Sequence, residues 1–238
     1  MKKIIFVLLV GFLFVFTGCL DDDGYSLNDV WIGFGVVENT DDYKIVLDDG
    51  GILYPVAFGG YVPWNDADYS GDTHKIKAGD RLMLNFTILD DKLNNAGEVT
   101  AYYVKINSAK KVLTKGVLDI TEANKDSIGN DPIIVQDTWM ANGLLNFQLK
   151  YWGRNQTHFI NLVKQPGELT AEGQPFQLEL RHNKNGDTED IPYVAYVSFH
   201  LDSLQVAGLD SVRFTITSKD YDNKPFEYKG VYKYQENN

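Results

Sequence analysis

From Asn28 onward the chain alternates apolar and polar positions in short bursts. Val30, Ile32, Phe34 and Val36 fall on one face of an extended segment and Trp31 and Val37 on the other, a period of two that predicts a strand. Tyr43 to Leu47 and Ile52 to Val56 then flank Asp48-Asp49-Gly50-Gly51, where glycine supplies the positive φ that a tight hairpin turn needs. Residues 59–79 read as a long polar loop. Ala78-Gly79-Asp80 leads into a strand from Arg81 to Leu89, and Asn94-Asn95-Ala96-Gly97 turns the chain into another from Val99 to Ile106. Lys111 to Ile120 is a further extended segment that closes this half. About five strands with a long connection between the third and fourth predict a small OB-like β-barrel over residues 27–120.

Residues 121–132 are rich in Asn, Asp and Gly, end in Asp131-Pro132, and read as an interdomain linker. About seven short runs follow: Ile133 to Trp139, Leu144 to Trp152, His158 to Lys164, Phe176 to His182, Tyr193 to Leu201, Val212 to Ser218 and Phe226 to Tyr234. Their near-regular spacing, with turn-rich spacers between, predicts an antiparallel β-sandwich over residues 133–238. The expected fold class is therefore all-β, with helix-length amphipathic segments scarce and aromatic residues plentiful.

The N-terminus changes the picture. Lys2 and Lys3 precede an apolar run from Ile4 to Phe16 that is too short to cross a hydrocarbon core of about 30 Å, as expected of an export signal over residues 1–18. Cys19, the only cysteine, can form no intramolecular disulfide. Removing the signal takes the formal charge from −11 to −13 and leaves 220 residues, enough for one large or two small domains. A field of that sign repels phosphate backbones, so nucleic acid is a poor partner.

Phe16-Thr17-Gly18-Cys19 resembles the lipobox of bacterial lipoproteins, departing from it at Phe16, where an aliphatic residue is usual. The resemblance implies that Cys19 is lipidated and that the membrane is reached through acyl chains, each buried methylene adding about 0.8 kcal/mol. Residues 19–26 form an acidic tether whose Leu20-Asp21-Asp22-Asp23-Gly24 is similar to the signal that sends Bacteroidetes lipoproteins to the outer face of the outer membrane. A solvated spacer is the alternative.

The order of motifs is similar to that of the NigD-like lipoproteins. The matching residues are Asp21-Asp22-Asp23-Gly24-Tyr25-Ser26-Leu27, Gly79-Asp80-Arg81-Leu82, Asp131-Pro132-Ile133 with Trp139 downstream, Leu144-Leu145-Asn146-Phe147 and Tyr196-Val197-Ser198-Phe199. The resemblance implies an envelope lipoprotein with an OB-like domain before a β-sandwich, named after a component assigned to bacteriocin immunity. It implies an outer-membrane location, on the surface or the periplasmic face, and carries over no catalytic residues.

Candidate chemistry is sparse. Asp66, Asp68, Ser70 and Asp72 place oxygens at alternate positions around Gly71, as in a loop that wraps Ca²⁺, yet Lys77 stands where a closing Glu belongs. An ordinary acidic loop is the other reading, and no metal or cofactor is expected. Asn183, Asn185, Asp187 and Glu189 are a weaker cation candidate, with a solvated turn as the alternative. His74, His158, His182 and His200 are too scattered for a zinc pattern, although the last three border strands of one domain and could converge. No nucleophile elbow, phosphate-binding glycine loop or His/Cys pair occurs, which argues against an enzyme. Tyr61, Trp64 and Tyr69 could stack on a sugar or anchor a protein partner, or fold back over an open barrel end. Asp126-Ser127-Ile128, Asp202-Ser203-Leu204 and Asp210-Ser211-Val212 resemble an O-glycosylation sequon, marking Ser127, Ser203 and Ser211. The expected role is a non-enzymatic binding protein for a protein or glycan ligand, with a structural or assembly scaffold of the outer membrane as the alternative.

Overall fold

The computed structural model describes residues 24–39, 43–58, 76–222 and 224–234. Cys19, the aromatic loop residues Tyr61, Trp64 and Tyr69, the cation candidates Asp66, Asp68, Ser70 and Asp72, and His74 lie outside the described residues.

Five strands close the predicted barrel: β1 (Trp31–Val37), β2 (Ile45–Leu47), β3 (Ile52–Phe58), β4 (Arg81–Leu93) and β5 (Val99–Lys111), in the order β1-β2-β3-β5-β4. All neighbours run antiparallel except β3 and β5, which run parallel. Val37, Ile45, Leu53, Leu82, Leu84, Val104 and Ile106 fill the interior. The alternation in β1 is real, but its apolar even positions do not face the core. Val37 and Gly35 are buried, whereas Ile32 is 74% exposed. Crowding decides this: a Cβ on Gly35 would lie 2.8 Å from Ile45 Cγ2 and 2.9 Å from the Val46 carbonyl oxygen, so only glycine lets β1 pass so close to β2.

The sandwich comprises β6 (Leu113–Gly116), β7 (Leu118–Asp119), β8 (Ile134–Ala141), β9 (Leu144–Gly153), β10 (Phe159–Lys164), β11 (Phe176–Asn183), β12 (Ile191–His200), β13 (Ser211–Lys219) and β14 (Pro225–Lys233). One sheet has the order β14-β13-β11-β10-β7 and the other β6-β12-β9-β8. Between them lie Phe147, Leu149, Leu162, Leu178, Phe199, Phe214 and Ile216, with the Phe147 and Phe199 rings edge to face at 5.9 Å. Most pairs are antiparallel, as expected; β6–β12, β7–β10 and β11–β13 are parallel.

Two of those pairings correct the domain boundary. Lys111 to Ile120 was expected to close the barrel over residues 27–120, yet β6 and β7 are hydrogen-bonded into the two sandwich sheets, so the barrel ends at Lys111. The expected linker over residues 121–132 carries a short helix, α1 (Lys125–Ile128), whose Ile128 is buried and which packs on β10 and β11. Its polar composition signals a turn of the chain, not a free segment.

The barrel sits on the outward face of the four-stranded sheet. Phe34 of β1 meets Tyr196 at 4.9 Å and Trp139 at 5.7 Å between ring centroids. Beside them Asp48, in the β2–β3 turn, accepts from both terminal nitrogens of fully buried Arg81, from Trp139 Nε1 at 2.8 Å and from Asn142 Nδ2 at 3.1 Å. Asn142 (φ 51°) and Gly143 (φ 72°) form the two-residue turn of the β8–β9 hairpin, and both have the left-handed backbone that such tight hairpins require. On the same face Ser198 donates to Asn146 Oδ1 at 2.7 Å.

Candidate functional site: a histidine pair clamped by a carboxylate

His158 immediately precedes β10 and His182 lies near the end of β11, and the antiparallel register that pairs Ile160 with His182 brings the rings together. His158 Nδ1 and His182 Nε2 are 2.8 Å apart. Asp187, in the turn after β11, reaches back to His158 Nε2 at 3.2 Å, and His182 Nδ1 faces the Pro132 carbonyl oxygen at 2.8 Å. The side chains of His158 and Asp187 are each only 3% exposed.

The ends of this row, the Asp187 carboxylate and the Pro132 carbonyl, can only accept hydrogen bonds, so they suit the N–H sides of the two rings. Burial holds the His182 imidazole below its ordinary range; the Pro132 carbonyl works against this, and the neighbouring His158 adds to the lowering.

Asp187 is itself held well below the usual carboxylate range, first by the Arg154 backbone N–H, which donates to Oδ2 at 2.6 Å, and then by His158. Its Oδ1 accepts from the backbone N–H groups of Thr188 at 2.9 Å and Asn155 at 3.4 Å. One side chain thus ties the loop after β9 to the turn after β11. Gly153 makes room for it: a Cβ there would lie 2.8 Å from His158 Nε2 and 2.9 Å from Asp187 Oδ2. Tyr151 stacks on His158 at 4.6 Å, Tyr193 stacks on Tyr151 at 5.9 Å, and the Tyr193 hydroxyl donates to the Arg154 carbonyl oxygen at 3.1 Å. Burial and Tyr193 push the Tyr151 phenol up. Beside the clamp opens a cleft of about 280 Å³, walled by Tyr151, Arg154, Asn155, Gln156, Thr157 and Tyr193.

The arrangement holds loops in place and offers no free base, because every ring nitrogen and both Asp187 oxygens are engaged. With the ring nitrogens in direct contact, no ion fits between them, and among the described residues no group of three His, Cys, Asp or Glu side chains is arranged to hold a metal. The structure therefore brings together His158 and His182, while His200 stands exposed at the far end of β12. Of the weaker cation candidates, Asp187 turns inward to the histidines, Glu189 pairs with Lys184, and Asn183 Oδ1 accepts from the Asn185 backbone N–H. Ser127 is exposed on α1, Ser203 is exposed in a 3₁₀ turn, and Ser211 is half-buried at the start of β13. Arg154, Tyr151 and Tyr193 went unmarked in the sequence. Their one signal is Gly153 at the end of a long strand, followed at once by a polar run that leads to a histidine.

These features define an all-β, two-part protein in which an OB-type barrel is seated on a β-sandwich whose loops are pinned by a histidine–carboxylate clamp. Residues 116–230 match the family model of the NigD-like C-terminal beta sandwich domain. The chain is similar to a solved protein of Parabacteroides distasonis ATCC 8503, provisionally named as toxin-related, with 30% identity, a TM-score of 0.66, and 86% of this chain and 94% of that chain covered. A protein of unknown function from Bacteroides vulgatus ATCC 8482 shares the fold at 24% identity and a TM-score of 0.63, covering 88% and 92%. So does a NigD-like immunity protein from Bacteroides caccae ATCC 43185, at 20% identity and a TM-score of 0.59, covering 87% and 99%. No curated protein matches the chain. The chain belongs to the NigD-like family.

Proposed function

We propose that this protein is a lipid-anchored component of the outer membrane that binds a partner without transforming it, and that its role is immunity to a bacteriocin. The observation that carries the binding reading is the inward commitment of the clamp. His158, His182 and Asp187 are buried and engaged with one another, while the cleft beside them presents Tyr193 and Arg154 to solvent. Aromatic and planar polar side chains on a rigid support suit recognition of a protein or glycan surface. The anchor rests on the export signal and Cys19, and among the described residues no helix is long and apolar enough to cross a membrane. The immunity role is supported by family membership and by the name of the Bacteroides caccae relative.

Deleting the gene should sensitise cells to one toxin and leave general envelope integrity intact. A Tyr193→Ser, Arg154→Ser protein that folds normally should fail to restore protection. Broad sensitivity to detergents after deletion would instead favour an assembly scaffold. Ser127 and Ser203 are open to modification, and an intact mass from the native host above that of the lipidated chain would identify O-linked sugar.

A further inference from the structure

The start of β1 and the segment before it present a run of large apolar side chains that stand exposed among the described residues. Leu27 is 75% exposed, Val30 55%, Trp31 51% and Ile32 74%. β2 pairs with β1 only from Gly35 to Val37, so residues 31–33 have no strand neighbour on that side among the described residues. The segment before them is fixed in place: the Tyr25 hydroxyl donates to Asp91 Oδ1 at 2.6 Å and its ring meets Tyr102 edge to face, while the Asp29 backbone N–H donates to the Ser26 carbonyl oxygen. The chain therefore leaves the globule beside its most exposed apolar side chains.

We propose that Leu27, Val30, Trp31 and Ile32 form a lipid-docking rim that lays the barrel against the bilayer. The inference rests on the anchor proposed above. Four residues, 20–23, separate Cys19 from Gly24, the first described residue, and the five Cα–Cα steps between them span at most about 18 Å even when fully extended. A lipid on Cys19 thus keeps this rim within a short reach of the headgroups whatever course the tether takes. Tryptophan settles at the boundary between headgroups and acyl chains, and aliphatic side chains beside it enter the apolar layer just below. Asp29 and the tether acids Asp21, Asp22 and Asp23 are repelled by anionic lipid, so the rim suits a zwitterionic surface. Docking this way holds the barrel at the membrane.

The test uses the mature chain from Cys19 to Asn238, coupled through its single thiol to a maleimide phospholipid in phosphatidylcholine vesicles. Amide exchange over residues 27–32 should slow about tenfold relative to the uncoupled chain. Brominated phosphatidylcholine should quench an emission component that is missing in Trp31→Phe. A Trp31→Ser, Ile32→Ser protein with an unchanged Tm should lose the exchange slowing, and partial replacement by phosphatidylglycerol should weaken it. Unaltered exchange and no Trp31-dependent quenching in the coupled chain would overturn the docking. So would slowing that appears only in native envelopes and never on pure lipid, which would mark a protein partner. The anchor is read separately, by mass spectrometry of the native protein: a Cys19 without lipid there removes both readings, whereas a lipidated Cys19 with no docking on vesicles removes this one alone.

Discussion

Asp48 and Asp187 stand at the two ends of β9, one engaging Asn142 just before it and the other the Arg154 N–H just after it. Each organises its surroundings by accepting several hydrogen bonds at once, and each should be costly to remove. Asp48→Ala would leave Arg81, which is only 1% exposed, without its counter-charge. The loss expected for breaking such a pair is about 3–5 kcal/mol, measurable by urea denaturation. The histidine row predicts a pH dependence. Because burial lowers the folded-state value for His182, its neutral form is favoured in the fold, and the unfolded chain takes up a proton first as the pH falls. That contribution is intact above the ordinary histidine value of about 6.5 and declines below it. Tm followed downward from neutral pH should therefore drop in the wild type, with a shallower slope through this range in His182→Gln.

At the scale of elements, most strands are visible in the sequence and most partners are not. The hairpin around Gly50-Gly51 and all seven runs of the second half appear where alternation and turn residues place them. Local signals suffice there because each strand needs only its own period and its own turn. Alternation in β1 marks two faces without saying which is inside; Gly35 settles it by letting its own face approach Ile45. The stretch 111–120 reads correctly as extended but joins the wrong half, since its partners lie near residues 163 and 197, too distant for any local pattern to reveal. His158 and His182 meet only because of the β10–β11 register, and in the sequence Asp187 reads only as a weak cation ligand or part of a solvated turn. The family landmarks fare better. Arg81, Trp139 and Asn146 all lie at the seat of the barrel on the sandwich, and Pro132 ends the histidine row. Gly153→Ala, forced against that row, should cost about 1–3 kcal/mol in chemical denaturation. A fragment beginning at residue 113 should fold as a stable sandwich, whereas one beginning at residue 121 lacks β6 and β7 and should show a clearly lower Tm.

For the whole molecule, the seat built from Phe34, Asp48, Trp139 and Tyr196 makes barrel and sandwich neighbours with a shared stake in folding. Calorimetry of the wild type should show one transition. Phe34→Ala combined with Trp139→Phe, which empties the aromatic contact and removes the indole donor, should separate it into two. Within the sandwich, Lys115 of β6 donates to the Ile160 carbonyl oxygen at 2.8 Å and to Asn161 Oδ1 at 2.7 Å on β10, so it bridges the two sheets, and burial pushes its ammonium below the ordinary lysine range.

The placement of β6 and β7 also sets a timetable for a chain that emerges from an export channel N-terminus first. Every barrel strand lies between residues 31 and 111, so that part can shut as soon as it is out. The next few residues must then idle, β7 until residue 163 arrives and β6 until residue 197 does. A chain whose export stalls in that interval would leave a finished barrel trailing two bare strands, and envelope proteases should cut there first.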